Sequence, residues 1–222
     1  MGEKMQLLIL CGGKGKRLKP LTEEIPKPLL QVYDKPIVEY QIDFFKRHGI
    51  KDIILCTGFK HEMFAQRYGD LIQCSEEKEL GTAGAIKNAE KFINDDFIVT
   101  NGDNIFSFNL QKMQKMFFEV KNPLMTLTHL VSPYGIIEVE GDRVIDFKEK
   151  PVLNLWINAG ITMFTQDSLD YFPKLGMLEY DVYPKLAKKK KLFAYKMREN
   201  SFWIAIDTEK DIERAKKMLL KL

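Results

Sequence analysis

Through the first half of the chain, short apolar runs alternate with amphipathic stretches. Met5 to Leu10 reads as a strand buried on both faces, and Asp52 to Cys56 and Phe97 to Thr100 repeat that texture. Between them lie helical patterns. Ile37, Val38, Ile42 and Phe45 fall on one face of a helix that Asp34 can cap, with Pro36 in its first turn and Gly49 as its stop. Lys60 to Tyr68 is helical in pattern, Leu71 to Cys74 reads as a short strand, and Thr82 can cap a helix from Ala83 to about Phe92.

The texture changes past Asn122. Leu124 to Val131, Gly135 to Val139 and Val144 to Phe147 are strand-like, the last two joined by a turn at Glu140-Gly-Asp142. Trp156 to Phe164 and Leu192 to Met197 add strands, with a helix near Asp181 to Lys190 between them. Thr208 and Asp211 have the spacing of a capping box for a final helix. The order of elements predicts a three-layer α/β/α domain with a mainly parallel, mixed central sheet and an antiparallel excursion.

Composition narrows the functional classes. The 222 residues, 45% hydrophobic and 29% charged, suit one ordinary globular domain. A net charge of +3, with basic residues scattered among acidic ones, leaves no nucleic-acid footprint, and the run Lys188 to Lys191 reads as a solvated helix end. Cys11, Cys56 and Cys74 are too far apart for a zinc site or a disulfide framework, and the first two read as buried thiols. No run reaches membrane-spanning length and the charged start lacks a signal-peptide pattern, so the expectation is a cytoplasmic protein without membrane partners. His48, His61 and His129 have no ligand or triad partners at suitable spacing and are expected to pack or face water.

Candidate chemistry begins after the first strand. In Gly12-Gly-Lys-Gly-Lys-Arg17, glycines let backbone N–H groups approach a phosphate, and Lys14, Lys16, Arg17 and Lys19 add positive charge. The spacing is neither that of a dinucleotide fingerprint nor that of a Walker loop, and a flexible basic turn would read the same. Pro20, Pro26 and Pro28 exclude regular helix or central strand from the next segment and hold Lys27 between two rigid residues. Asn101-Gly-Asp103 closes a buried strand, where open α/β sheets bind ligands; a carboxylate there can hold magnesium, although Asn-Gly also makes plain turns.

The stretch from Gly12 to Leu30 resembles the signature of the sugar-1-phosphate nucleotidyltransferases, which include glucose-1-phosphate thymidylyl-, uridylyl- and cytidylyltransferases and mannose-1-phosphate guanylyltransferases. The resemblance extends over essentially the whole chain. It implies an enzyme that takes a nucleoside triphosphate and a sugar 1-phosphate, with Mg2+ as cofactor, and releases pyrophosphate after in-line attack on the α-phosphorus. Arg17 and Lys27 would be catalytic. Leu10, Gly12, Gly13 and Gly15 would meet the nucleotide, and Glu76 with Leu80-Gly-Thr-Ala-Gly84, through Gly81 and Thr82, would read its base. The family usually has proline where Glu79 stands.

Tyr134-Gly135, Glu149-Lys-Pro151 and Asn158-Ala-Gly160 resemble three sugar-phosphate segments, implying roles for Gly135, Glu149, Lys150, Asn158 and Gly160. Residues 1–122 would then form the nucleotide half and 123–222 the sugar-phosphate half of one domain. Asp103 would bind the metal. The family's second metal aspartate usually follows a tryptophan by two positions, but here Trp203 is followed by Ile204 and Ala205, and Asp207 is the candidate, as in the cytidylyltransferase branch. Positions 205 and 207 share a face if the strand continues that far; Asp207 could instead cap the last helix. A cytidylyltransferase for choline or inositol phosphate, an inactive nucleotide-sugar-binding regulator and a nucleotide-binding module remain as alternatives. A homo-oligomer is compatible with all of them.

Overall fold

The computed structural model describes residues 4–198 and 200–220; residues 1–3, part of the charged start of the chain, lie outside them. The first strand, β1 (Met5–Cys11), is buried except at the half-buried Leu10. It leads through the glycine-rich loop to a single helical turn, α1 (Leu21–Glu24), and a tight hairpin of β2 (Gln31–Val32) and β3 (Lys35–Pro36). Next come α2 (Ile37–Arg47), β4 (Ile53–Thr57), α3 (His61–Arg67), β5 (Ile72–Ser75), α4 (Gly81–Asn88) and β6 (Asp96–Asn101). The prolines allow α1 because it fits between Pro20 and Pro26, so the expectation of no helix there fails by one turn.

After β6 the chain forms β7 (Asn104–Ser107), α5 (Leu110–Val120), β8 (Leu124–Val131), the hairpin β9 (Ile136–Glu140) and β10 (Arg143–Lys148), and the long β11 (Val152–Phe164). It ends with α6 (Tyr183–Lys188), β12 (Phe193–Lys196), β13 (Phe202–Ala205) and α7 (Glu209–Leu219).

Seven strands make the central sheet in the order β12-β8-β11-β6-β1-β4-β5. The block β6-β1-β4-β5 is parallel, β11 is antiparallel to both β6 and β8, and β12 is parallel to β8, so β11 alone runs against the rest. Alternation along β1 divides the interior. Leu7, Ile9 and Cys11 face a core closed by Phe45 of α2, Phe64 of α3 and Phe117 of α5, while Leu8 faces a second core closed by Ile86 of α4 and Leu186 of α6. These are the expected three layers. A third cluster, with Leu18, Ile37, Ile204 and Ala215, seats α7 beside the loop that follows β1.

Some local readings need correction. Asp34 does not cap α2: the extended residue before the helix is Pro36, and Asp34 lies in the turn joining β2 to β3. Thr82 does not cap α4 but lies inside its first turn, where its hydroxyl accepts from the Leu178 N–H at 2.8 Å and donates to Glu179 at 3.2 Å. The start of α4 is satisfied instead by the Gly176 carbonyl, which accepts from Ala83 and Gly84 at 3.0 and 3.2 Å. Strand β7 and helix α5 add to the expected elements: Leu110, Met113 and Phe117 are helically spaced, and the Asn109 side chain accepts from the Lys112 N–H at 2.8 Å as a true cap.

Candidate active site

The glycine-rich loop leaves the C-terminal end of β1 and borders a cleft of about 500 Å³. Gly15 adopts φ +58, the left-handed region, and a β-carbon there would stand 2.9 Å from Thr22 Cγ2 and 3.0 Å from Lys27 Cβ. Thr22 also donates to the Gly15 carbonyl at 2.8 Å, fixing the loop over α1. The short helical turn Lys27–Leu29 then aims Lys27 into the cleft from a buried backbone.

Two distant carboxylates converge on that lysine. Lys27 Nζ lies 2.6 Å from Asp103 Oδ2 and 2.7 Å from Asp207 Oδ1, and Arg17 reaches the same Asp207 oxygen at 2.8 Å. Pairing of β7 with β13 sets Asn104 opposite Ala205, and one step further the Ile206 N–H donates to the Asp103 carbonyl at 2.9 Å. Strand β13 itself ends at Ala205, so the condition for positions 205 and 207 to share a strand face is not met. This backbone bond nonetheless brings Asp207 beside Asp103. The capping alternative for Asp207 also fails: Asp211 organises the start of α7, accepting from the N–H groups of Asp207 and Thr208 at 3.1 and 2.8 Å.

Leu10, Gly12, Gly13, Gly15, Glu76, Gly81 and Thr82, expected at the nucleotide, all line the cleft with Arg17, Lys27, Asp103 and Asp207. The Glu76 carboxylate accepts from the Leu80 N–H at 3.2 Å, and a β-carbon on Gly12 would come within 2.9 Å of its Oε1. Burial pushes the Glu76 carboxyl above its ordinary pKa, against the smaller opposing effect of the Leu80 hydrogen bond. Glu79, where the family usually has proline, pairs with Lys14 at 2.7 Å across the cleft mouth.

The five sugar-phosphate candidates do not line this cleft. Gly160, at φ +71, packs against Asn101 and Asn104, where a β-carbon would meet their amide nitrogens at 2.8 and 2.7 Å, so it abuts the Asp103 turn. Asn158 accepts from the Gly160 N–H at 2.8 Å. Gly135, Glu149 and Lys150 gather separately at the base of the exposed β9–β10 hairpin: a β-carbon on Gly135 would be 3.1 Å from Glu149 Oε2, and Glu149 lies 3.8 Å from Lys150 Nζ. Sequence reasoning missed Met177 and Ala85 in the cleft lining, since neither carries a motif or a reactive group.

The three cysteines are free and buried, and burial raises the Cys11 and Cys56 thiols far above their ordinary range, so they supply no thiolate to the cleft. His129 stacks on Trp156 at 3.8 Å, a packing role. Among the described residues, no helix is long and apolar enough to cross a membrane.

The sequence model of the nucleotidyl transferase family matches residues 6–221. The chain belongs to that family. A D-glycero-alpha-D-manno-heptose 1-phosphate guanylyltransferase from Campylobacter jejuni is 38% identical over 176 residues, covering 76% of this chain and 79% of the relative. A Bacillus subtilis protein named as a probable glucose-1-phosphate cytidylyltransferase is 31% identical, covering 96% of both chains. Among solved structures, that of HddC from Yersinia pseudotuberculosis complexed with GMP-PN superposes with a TM-score of 0.76 at 24% identity, covering 96% of this chain and 99% of the other, a likeness of fold. The transferase is thus an enzyme that moves a nucleoside monophosphate from a nucleoside triphosphate to a sugar 1-phosphate, making a nucleotide-sugar.

Proposed function

We propose that the transferase uses GTP as its nucleotide and a hexose or heptose 1-phosphate as its acceptor, with Mg2+. The observation that carries the base assignment is Glu76. An ionised carboxylate only accepts, and guanine offers two adjacent donors, N1–H and the N2 amino group. Cytosine, uracil and thymine each present a donor beside an acceptor on the same edge, which would face a carboxylate oxygen unfavourably. The guanylyltransferase relative from Campylobacter jejuni supports the same base. Pyrophosphate release across GTP, CTP, UTP and TTP, each with heptose, mannose and glucose 1-phosphates, tests the proposal; higher kcat/KM with CTP or TTP overturns it.

Glu76→Gln follows as a sharper test. A bidentate base contact is worth about 1–3 kcal/mol of discrimination, so the mutant should lose roughly tenfold to a hundredfold of its preference for GTP over the pyrimidine nucleotides. The same change should stabilise the protein at neutral pH. Because the folded-state pKa is raised, the stabilising contribution of the Glu76 carboxyl is complete below its unfolded value and lost as pH rises through the folded one. Glutamine mimics the protonated form, so thermal melts of mutant and wild type should differ most above the folded pKa and converge in acid.

In this reading the sugar phosphate oxygen attacks the α-phosphorus in line and pyrophosphate leaves, a reaction served by positioning and charge neutralisation without a protein nucleophile. Arg17, Lys27 and the loop N–H groups offset the triphosphate charge. Asp103 and Asp207 suit Mg2+, which takes one or two carboxylates together with substrate phosphates, and both already reach a single cation, Lys27 Nζ, at 2.6 and 2.7 Å. When bound, the ion would neutralise phosphate charge and orient the triphosphate.

Lys150 is assigned to the sugar phosphate. Its exposed side chain stands 3.8 Å from Glu149 at the base of the β9–β10 hairpin, where a phosphate can reach its ammonium. Lys150→Ala should raise KM for the sugar phosphate far more than KM for the nucleotide. A larger rise for the nucleotide means the two halves of the site are assigned the wrong way round.

A further inference from the structure

Behind the Asp103 turn lies a buried amide that the reaction does not require directly. Gln41, on α2, is 1% exposed, and its Nε2 donates to two carbonyls, that of Asn101 at 2.9 Å and that of Asn104 at 2.7 Å. Both partners are acceptors, so the amide orientation is fixed by the bonds themselves. The two carbonyls flank Gly102-Asp103. One side chain therefore clips both ends of the turn that presents the carboxylate.

The other faces of the turn are held as well. The Gly102 N–H donates to the Leu10 carbonyl at 2.9 Å, tying the turn to β1, and a β-carbon on Gly102 would meet that oxygen at 2.8 Å. Asn104 Nδ2 and Trp203 Nε1 both donate to the Ala159 carbonyl, at 3.2 and 2.7 Å. Hydrogen bonds thus run without a break from Gln41 through the Asp103 turn to Asn158-Ala-Gly160.

We propose that Gln41 is a positioning residue: its double donation sets the direction of the Asp103 carboxylate and couples it to the Asn158–Gly160 segment. Packing alone would be served by a methionine of similar volume. An apolar side chain, however, would take away the donor that both carbonyls share, leaving the buried Asn104 carbonyl without it and freeing the two ends of the turn to shift with Asp103 between them. Gln41 retains the amide although its Oε1 makes no hydrogen bond to any described residue.

The inference rests on the reading of Asp103 as a metal carboxylate, and the test separates the two. Mn2+ binding to the nucleotide-free enzyme, followed by electron paramagnetic resonance, is measured for Gln41→Met, Asp103→Asn and the same-helix control Ile42→Val, alongside kcat. Gln41→Met should lose about tenfold to a hundredfold in Mn2+ affinity or kcat, the range seen when the support of a metal ligand is removed, while Ile42→Val stays near wild type. Wild-type Mn2+ affinity and kcat in a folded Gln41→Met overturn the inference, as do equal losses in Ile42→Val. If Asp103→Asn leaves Mn2+ binding unchanged, the metal reading itself fails. Should Gln41→Met not fold, Gln41→Asn, one methylene too short to reach both carbonyls, carries the same test.

Discussion

Lys27→Met is expected to lower turnover by a hundredfold to a thousandfold or more, the range for one preorganised donor at a phosphoryl centre, while leaving the fold in place. The same change should tighten divalent-metal binding to the resting enzyme. Lys27 Nζ sits within 2.6 and 2.7 Å of the two carboxylates, so an incoming cation meets its positive charge. Removing the ammonium removes that competitor. Asp103 and Asp207 keep 31% and 28% of their side-chain surface, so water or a metal ion can reach them once the lysine is gone. Lys27→Arg is no rescue, because the branched guanidinium does not fit a slot in which the lysine is 10% exposed between Pro26 and Pro28. Steady-state kinetics and a Mn2+ titration decide the point: near wild-type turnover removes Lys27 from the chemistry, and unchanged metal affinity removes it from the carboxylates.

What the sequence disclosed, and what it withheld, follows physical lines. Elements with a strong period, such as the buried run of β1 or the apolar face of α2, were legible because burial dictates their pattern. The glycine loop, the proline-flanked Lys27 and Asp103 were legible because each needs an unusual backbone or a charge at a strand end. Apart from the Thr208–Asp211 capping box, which the structure has, caps were less legible. Asp34 and Thr82 have capping side chains, but the Gly176 carbonyl and Thr82's own bonds to Leu178 and Glu179 come from segments far away in sequence. The role of Gln41 left no local trace, since its two partners lie 60 and 63 residues downstream. Ala205 posed a question that one long-range bond, Ile206 N–H to Asp103 carbonyl, answers by placement: the residue brought to Lys27 is Asp207.

That placement supports the most exposed prediction. Asp103→Asn and Asp207→Asn should each abolish most activity and weaken its dependence on magnesium at fixed nucleotide concentration. Losing a ligand charge at the ion removes several kcal/mol of transition-state stabilisation, about a hundredfold to a thousandfold in kcat. A purely structural Asp207 would behave otherwise. Its bond with Arg17 is largely exposed and worth little, the start of α7 is held by Asp211, and losing the pair of Asp207 with the mostly buried Lys27 would cost stability, read in thermal melts, with no change in metal requirement. Ala205→Asp is the informative companion. Position 205 pairs with Asn104 on β7 and lies one backbone step from the Asp103 turn, so a carboxylate introduced there is expected to compete with Asp207 for the same cation. In the Asp207→Asn background, Ala205→Asp should then restore part of the magnesium dependence if the metal reading holds. Unchanged turnover and magnesium dependence in Asp207→Asn would remove the second ligand and leave Asp103 as the sole protein carboxylate at the ion.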